Sequence, residues 1–291
     1  MRVGLALRWD VIFPRLVSKI ASDVDESGAT SVWFPSISTS YDVIDLCGNM
    51  LGMTRRIDVG TGVIRLFECP VEQLIVRSRT LTELSSGRFI LGVGTGLRAG
   101  GPAIADMLDI IRKFRVGYTS GEPPRIFFSA LRGRMLRAAF EDADGVILNF
   151  CSPSYISHMI PKDIVPRRGF ELGCYVKLYF APDSEGANKA LIDGFMKYDL
   201  SRNYHRMFEA MGVADTIQEM RRGENISIAP GELLEIALAN PDADEIIAFL
   251  QRFHIAGVNL PIIYPIIAGD QSYKMDVMST ILQSIKDVTT S

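Results

Sequence analysis

The side chains of this chain offer few conventional catalytic sets, so its chemistry has to be sought in its turns. Three histidines (His158, His205, His254) stand far apart, none paired with another at ligand spacing. A metal site is not expected. Four cysteines (Cys47, Cys69, Cys151, Cys174) show no C-x-x-C spacing, which suits four reduced thiols rather than a disulfide framework. What stands out is a series of small-residue runs. Gly60-Thr61-Gly62 is followed by Gly92-Val93-Gly94-Thr95-Gly96 and then by Ser129-Ala130-Leu131-Arg132-Gly133. Small residues at a strand end mark a bulge or let something flat approach the backbone. An arginine and a glycine where a helix begins make a phosphate seat. Asp10 and Glu68 are the carboxylates available as general acids, although an exposed loop carboxylate is the plainer reading of either alone.

The elements that must carry these runs alternate between two periods. Apolar strands are expected near 3–7, 31–34, 57–64, 89–93, 125–130, 146–148, 173–180 and 258–264. Helical patterns lie between them. One covers 13–27 and ends at Gly28, one follows Ser40 as its cap, and one opens at Pro70 with Leu74, Ile75, Leu81 and Leu84 inward. Further helices cover 131–143 and 273–288. Each helix must return the chain across the sheet, so the strands are parallel. Eight strands predict a single (β/α)8 barrel, a TIM barrel, over residues 1–291, with an open doubly wound sheet as the alternative. The Gly94-x-Gly96 pair lacks the third glycine of a dinucleotide fingerprint. Excursions at about 97–123 and 184–240 break the cadence and are expected at the rim of the site. Counted by strand, that rim offers Arg8, Trp9 and Asp10, then Arg65, Glu68 and Cys69, then Arg98, Lys177, Tyr179 and Tyr264.

Composition narrows the field. The 291 residues carry 31 Lys+Arg against 34 Asp+Glu, a net charge of −3, with 47 % hydrophobic residues. That balance gives no reason to expect nucleic acid or an anionic membrane as partner. No apolar run is long enough to span a bilayer, and Arg8 and Asp10 interrupt the N-terminal one. The expectation is a cytoplasmic protein acting on a small-molecule substrate.

Three runs together resemble the bacterial luciferase-like superfamily. They are Val59-Gly60-Thr61-Gly62-Val63, the stretch Thr80-Leu81-Thr82-Glu83-Leu84-Ser85-Ser86-Gly87-Arg88 leading into Phe89 to Gly96, and Ala143-Asp144-Gly145-Val146-Ile147-Leu148-Asn149. Within the superfamily they are most similar to the branch that uses coenzyme F420, such as methylenetetrahydromethanopterin reductase. The resemblance implies a luciferase-like barrel with a non-prolyl cis peptide at Gly62-Val63 backing the cofactor ring. It implies cofactor contacts at Gly62, Val63, Gly94, Thr95, Gly96, Arg132 and Gly133. It also implies a second phosphate loop at Asn149 and Ser152, residues that could equally cap the next helix. Relatives of this kind often form homodimers or larger homo-oligomers. The implied activity is an oxidoreductase passing a hydride between coenzyme F420 and a small organic substrate. An FMN-dependent monooxygenase and a non-catalytic barrel are the alternatives. The chain departs from the family in three places. Ala6 and Leu97 stand where the reductases carry carboxylates, and Phe34-Pro35-Ser36-Ile37 stands where many relatives carry an Asp-His pair.

Overall fold

A computed structural model describes residues 1–8, 14–36, 41–96, 101–119, 121–223 and 228–290. Eight parallel strands close on themselves: β1 (Gly4–Ala6), β2 (Ser31–Phe34), β3 (Asp58–Thr61), β4 (Phe89–Gly94), β5 (Arg125–Ser129), β6 (Gly145–Asn149), β7 (Glu171–Phe180) and β8 (Leu260–Ile267). Closure comes from β8, which pairs with β1 on one side and with β7 on the other, in register from Leu260↔Gly173 to Ile267↔Phe180. The expected TIM barrel is therefore the fold.

The helices between the strands are α1 (Pro14–Glu26), α2 (Val43–Met53), α3 (Val71–Leu84), α4 (Gly101–Gly117), α5 (Gly133–Asp142) and α6 (Pro153–Met159). The long excursion follows as α7 (Ser184–Asp199), α8 (Arg202–Met211) and α9 (Ala214–Arg221), then α10 (Ala243–Ile255) and α11 (Gln271–Thr290). Between α9 and α10 the excursion returns to the sheet as a short strand, Ala237–Ala239, beside β7. Two local expectations need correction. Asp42, whose carboxylate accepts from the Ile44 and Asp45 amides, caps α2; Ser40 lies outside the described residues. Leu84, expected inward, is 80 % exposed, because it occupies the final turn of α3 as the helix leaves the core.

The barrel interior follows the alternation of the strands. Ala6, Trp33, Ile90, Phe127, Ile147, Tyr175, Leu260, Ile262 and Tyr264 form one buried cluster inside the ring. The opposite faces of the same strands, such as Leu172, Cys174, Val176 and Leu178 of β7, pack outward with the helices. Two glycines are set by this interior. A Cβ on Gly60 would collide with the Trp33 ring, and one on Gly145 would meet the Phe127 ring. The diagnostic Ser85-to-Arg88 turn is a tie at the bottom of the barrel. Arg88 donates to the carbonyls of Leu51, Thr54 and Ile57 at 3.0, 3.0 and 2.8 Å. Asp144 accepts from the Ile126 amide at 2.8 Å at the same end. Both belong to stability rather than chemistry, as expected of that face.

The bulge expected in the third strand is present. Gly60 pairs with Ile90, but Ile64 pairs with Val93, so β3 and its extension Ile64–Arg65 spend one more residue than β4. Thr61 repairs the interrupted ladder. Its hydroxyl accepts from the Gly92 amide at 2.9 Å and donates to the Gly92 carbonyl at 2.8 Å. A Cβ on Gly92 would collide with the Thr61 carbonyl, so no larger residue fits there. Thr61→Val, which keeps the shape and removes the hydroxyl, leaves both buried Gly92 groups unpaired. It is expected to destabilise the fold by about 2 kcal/mol or more, read as a lower urea midpoint at unchanged slope.

The helical excursion is held by a buried carboxylate. Asp199, at the end of α7, takes hydrogen bonds from His205 Nδ1 at 2.7 Å and Gln218 Nε2 at 3.0 Å, with the Arg221 guanidinium 3.2 Å away. The hydrogen bond to Asp199, and then its charge, raise the His205 pKa above its ordinary 6.5. A raised folded-state pKa stabilises most where both states are protonated, and the contribution disappears as pH climbs through the folded value. The stability difference between wild type and His205→Gln should therefore be largest at acid pH and shrink as pH rises through and above 6.5, measured as urea midpoints across a pH series.

Candidate functional site

The inward-facing side chains change character toward the C-terminal ends of the strands. The middle of the ring is apolar and aromatic, whereas Ser129, Asn149, Lys177 and Tyr264 stand nearer the mouth. The mouth divides into two parts.

The first part is the edge formed by β3 to β6. Gly62, Val63, Thr95, Ser129, Leu131, Arg132 and Asn149 are partly exposed there, and Gly96 and Gly133 are exposed. The peptide bond Gly62–Val63 is cis. The carbonyl of Gly62 accepts a hydrogen bond from the Tyr175 hydroxyl at 3.2 Å, and its amide donates to Phe34 at 2.9 Å. The space beside Gly62 is thus taken by Tyr175, since a Cβ there would collide with that hydroxyl. Gly94 is likewise crowded by Ser129 and Val63. Gly96 adopts φ +60 and rests against the Arg65 side chain. The glycines therefore serve the barrel's own close packing as well as an open edge.

At the next loop, α5 begins without a side-chain cap. Arg132 holds the capping position in extended backbone, Gly133 follows at φ +35, and no acidic residue lies in the first turn. Space is open around Gly133. The free amides and the positive end of the helix face outward, flanked by Arg132 and the exposed Arg134. The loop after β6 is more closed. Ser152 caps α6, accepting from the Tyr155 amide at 3.2 Å, and is buried. Asn149 donates from Nδ2 to the Tyr204 hydroxyl at 2.7 Å, while its Oδ1 is buried without a hydrogen-bond partner. Methionines of α8 cover the same loop, Met207 against Cys151 and Met211 against the Ser152 amide.

The second part of the mouth, on the side of β7, β8 and β1, is filled. Lys177 is 1 % exposed and stands in register with Tyr264. Its Nζ lies 3.0 Å from the Tyr264 ring centroid, 5.0 Å from Phe150, 5.5 Å from Tyr175 and 5.7 Å from Tyr198. Phe150 is held at φ +55, a conformation that costs a bulky residue about 1–3 kcal/mol. Its ring is wedged among Phe195, Tyr198, Tyr204 and Phe208, which secures it there. Burial, reinforced by the charge of Arg8, pushes the Lys177 pKa well below the usual lysine range. Burial also raises Tyr175 and Tyr204.

Of the two expected acids, only Glu68 lies among the described residues. Glu68 is 57 % exposed and pairs with Arg65 at 3.6 Å on the rim. Asp10, with Trp9, Leu97 and Arg98, lies outside the described residues. Burial raises the thiol of Cys69 and pushes Cys151 up to about 12, so both stay protonated packing residues. Lys177, counted among the rim residues, points into the ring of aromatics instead. The strand itself carried the signal. In Glu-Leu-Gly-Cys-Tyr-Val-Lys-Leu-Tyr-Phe the lysine shares its face with Tyr175, inside the barrel rather than at an end. The aromatic residues from α7 and α8 that close over it had no such signal. Among the described residues no group of three His, Cys, Asp or Glu side chains is placed to hold a metal ion, and no helix is long and apolar enough to cross a membrane.

Residues 11–100 match the family model for luciferase-like monooxygenases. No curated protein sequence matches the chain. Among solved structures, the coenzyme F420-dependent tetrahydromethanopterin reductase from Methanopyrus kandleri superposes with a TM-score of 0.67 at 16 % identity, covering 99 % of this chain and 97 % of that one. An F420-dependent secondary alcohol dehydrogenase, solved with an F420-acetone adduct, gives 0.71 at 15 % identity over 98 % of both chains. The oxygenating constituent of 3,6-diketocamphane monooxygenase from a Pseudomonas putida plasmid, solved with FMN, gives 0.58 at 13 % identity over 99 % and 97 %. At such identities the likeness is one of fold. The family match over residues 11–100 and the barrel over the whole length make the chain similar to luciferase-like proteins in fold, the likeness that its sequence runs implied.

Proposed function

We propose that this luciferase-like barrel is an oxidoreductase that holds a deazaflavin, coenzyme F420, along the edge of β3 to β6 and passes a hydride to or from a small organic substrate. The observation that carries this reading is the uncapped N-terminus of α5, flanked by Arg132 and Arg134, on the same rim as the partly exposed Val63 and Thr95. The residues present fit the phosphate end of such a molecule. Free backbone amides, open space at Gly133 and an arginine without a neighbouring carboxylate in the turn together favour an anion. Arg132 and the Gly133 amide would hold the phosphate, and Asn149, through its unpartnered Oδ1, would accept from a donor on the tail. Val63, Thr95 and Gly96 would border the ring. Deazaflavin, when bound, supplies hydride chemistry; the chain's own part is to seat the ring, orient the acceptor and exclude water. With Ala6 in β1, Glu68, paired with Arg65 on the rim, is the expected acid that the described residues bring near this edge.

FMN is the competing cofactor, and titration separates the two. Coenzyme F420 is expected to bind in the micromolar range, followed by quenching of tryptophan fluorescence, with FMN weaker. Arg132→Ala should weaken binding about tenfold, the loss of one charge-assisted phosphate contact. Tight FMN binding with none of F420 would transfer the reading to a flavin enzyme, and no binding of either would end it.

A further inference from the structure

Lys177 is a polar side chain that nothing in the fold accounts for. Among the described residues its amine has no hydrogen-bond acceptor and no ion-pair partner, only the rings of Tyr264, Phe150, Tyr175 and Tyr198. A second buried polar group without a partner stands on the neighbouring strand β6, where Asn149 is in register with Tyr175. Asn149, whose Oδ1 is buried and unpartnered, is bonded to Tyr204, and the Tyr204 ring stacks edgewise on Tyr198 at 4.8 Å. Tyr198 and Tyr204, whose rings lie on this cluster, are themselves partly exposed.

We infer that Lys177 is a reactive amine that captures small aldehydes or ketones as a Schiff base within the barrel mouth. A charged ammonium is costly in so dry a setting, and a lysine surrounded by apolar surface and placed near another cation gives up its proton. Both conditions hold here, since burial and Arg8 act on Lys177 in the same direction. The free lone pair of Nζ attacks the carbonyl carbon and a C–N bond forms. The amine gives up its two protons, the carbonyl oxygen takes up two and leaves as water, and a C=N bond remains. No electrons are exchanged. The aromatic walls select a small apolar carbonyl compound over an anionic one. This inference rests on Lys177 and the rings packed around it, and neither on Asn149 nor on the redox cofactor, so either reading stands if the other fails.

The test uses the full chain without any cofactor, treated with propanal and sodium cyanoborohydride, which reduces an imine to a stable propylamine. Peptide mass mapping then locates the adducts, with exposed Lys286 as internal standard. Lys177 is expected to be modified about tenfold faster than Lys286 near neutral pH, with its rate falling off at a lower pH. Lys177→Met, an apolar replacement of similar length, should keep the circular dichroism of the wild type and lose that one adduct. An amine at Lys177 that is modified only after unfolding in urea, or at the rate and pH dependence of Lys286, would overturn the proposal.

Discussion

Closure of the barrel between β7 and β8 is the constraint on which the rest depends. β7 runs for ten buried residues and pairs with β6, with β8 and, at its upper end, with the strand Ala237–Ala239. With both faces covered, it divides by parity. Leu172, Cys174, Val176 and Leu178 join the outer layer, and Tyr175 joins the ring. A slip of one residue would exchange these sets, placing the lysine against the helices and leucines in the mouth. The eight consecutive pairs with β8 exclude that slip and set Lys177 opposite Tyr264.

The bulge in β3 shapes the other half of the mouth. Parallel strands that kept pairing to their ends would present a level rim. Instead the chain takes one extra residue between Gly60 and Ile64, and the Thr61 hydroxyl substitutes for the missing ladder contact at Gly92. That substitution satisfies buried backbone groups where the ladder is broken, so the bulge is compatible with a packed barrel. The result is an asymmetric mouth. Its edge from β3 to β6 is partly open and ends at an unpaired helix N-terminus, while the side of β7 and β8 is packed with rings around an amine. The two halves therefore differ in kind, an uncapped helix N-terminus beside a packed cluster of rings.

The excursion between β7 and β8 is what completes the second half. α7 and α8 bring Tyr198, Tyr204 and Phe208 over Phe150, and Asp199 ties their junction to His205, Gln218 and Arg221. A buried carboxylate with three partners fixes the angle of the helices that cover the ring cluster, because leaving any partner unpaired would expose the full cost of burying charge.

Periodicity and small-residue runs were enough to read the eight strands and a helix start at Arg132, because each depends on neighbours close along the chain, while the bulge at Gly60 to Gly62 was favoured by the family resemblance over an ordinary strand end. The sequence also placed Lys177 on β7. It left open that Gly60 makes room for Trp33 and Gly62 for the Tyr175 hydroxyl, and that Ser152 is spent in capping α6 beneath Met211. Nor did it bring Phe150, Tyr198 and Tyr204 around one amine. Those outcomes require residues dozens of positions apart to compete for the same volume, and only a closed ring with its covering helices decides which side chain occupies it.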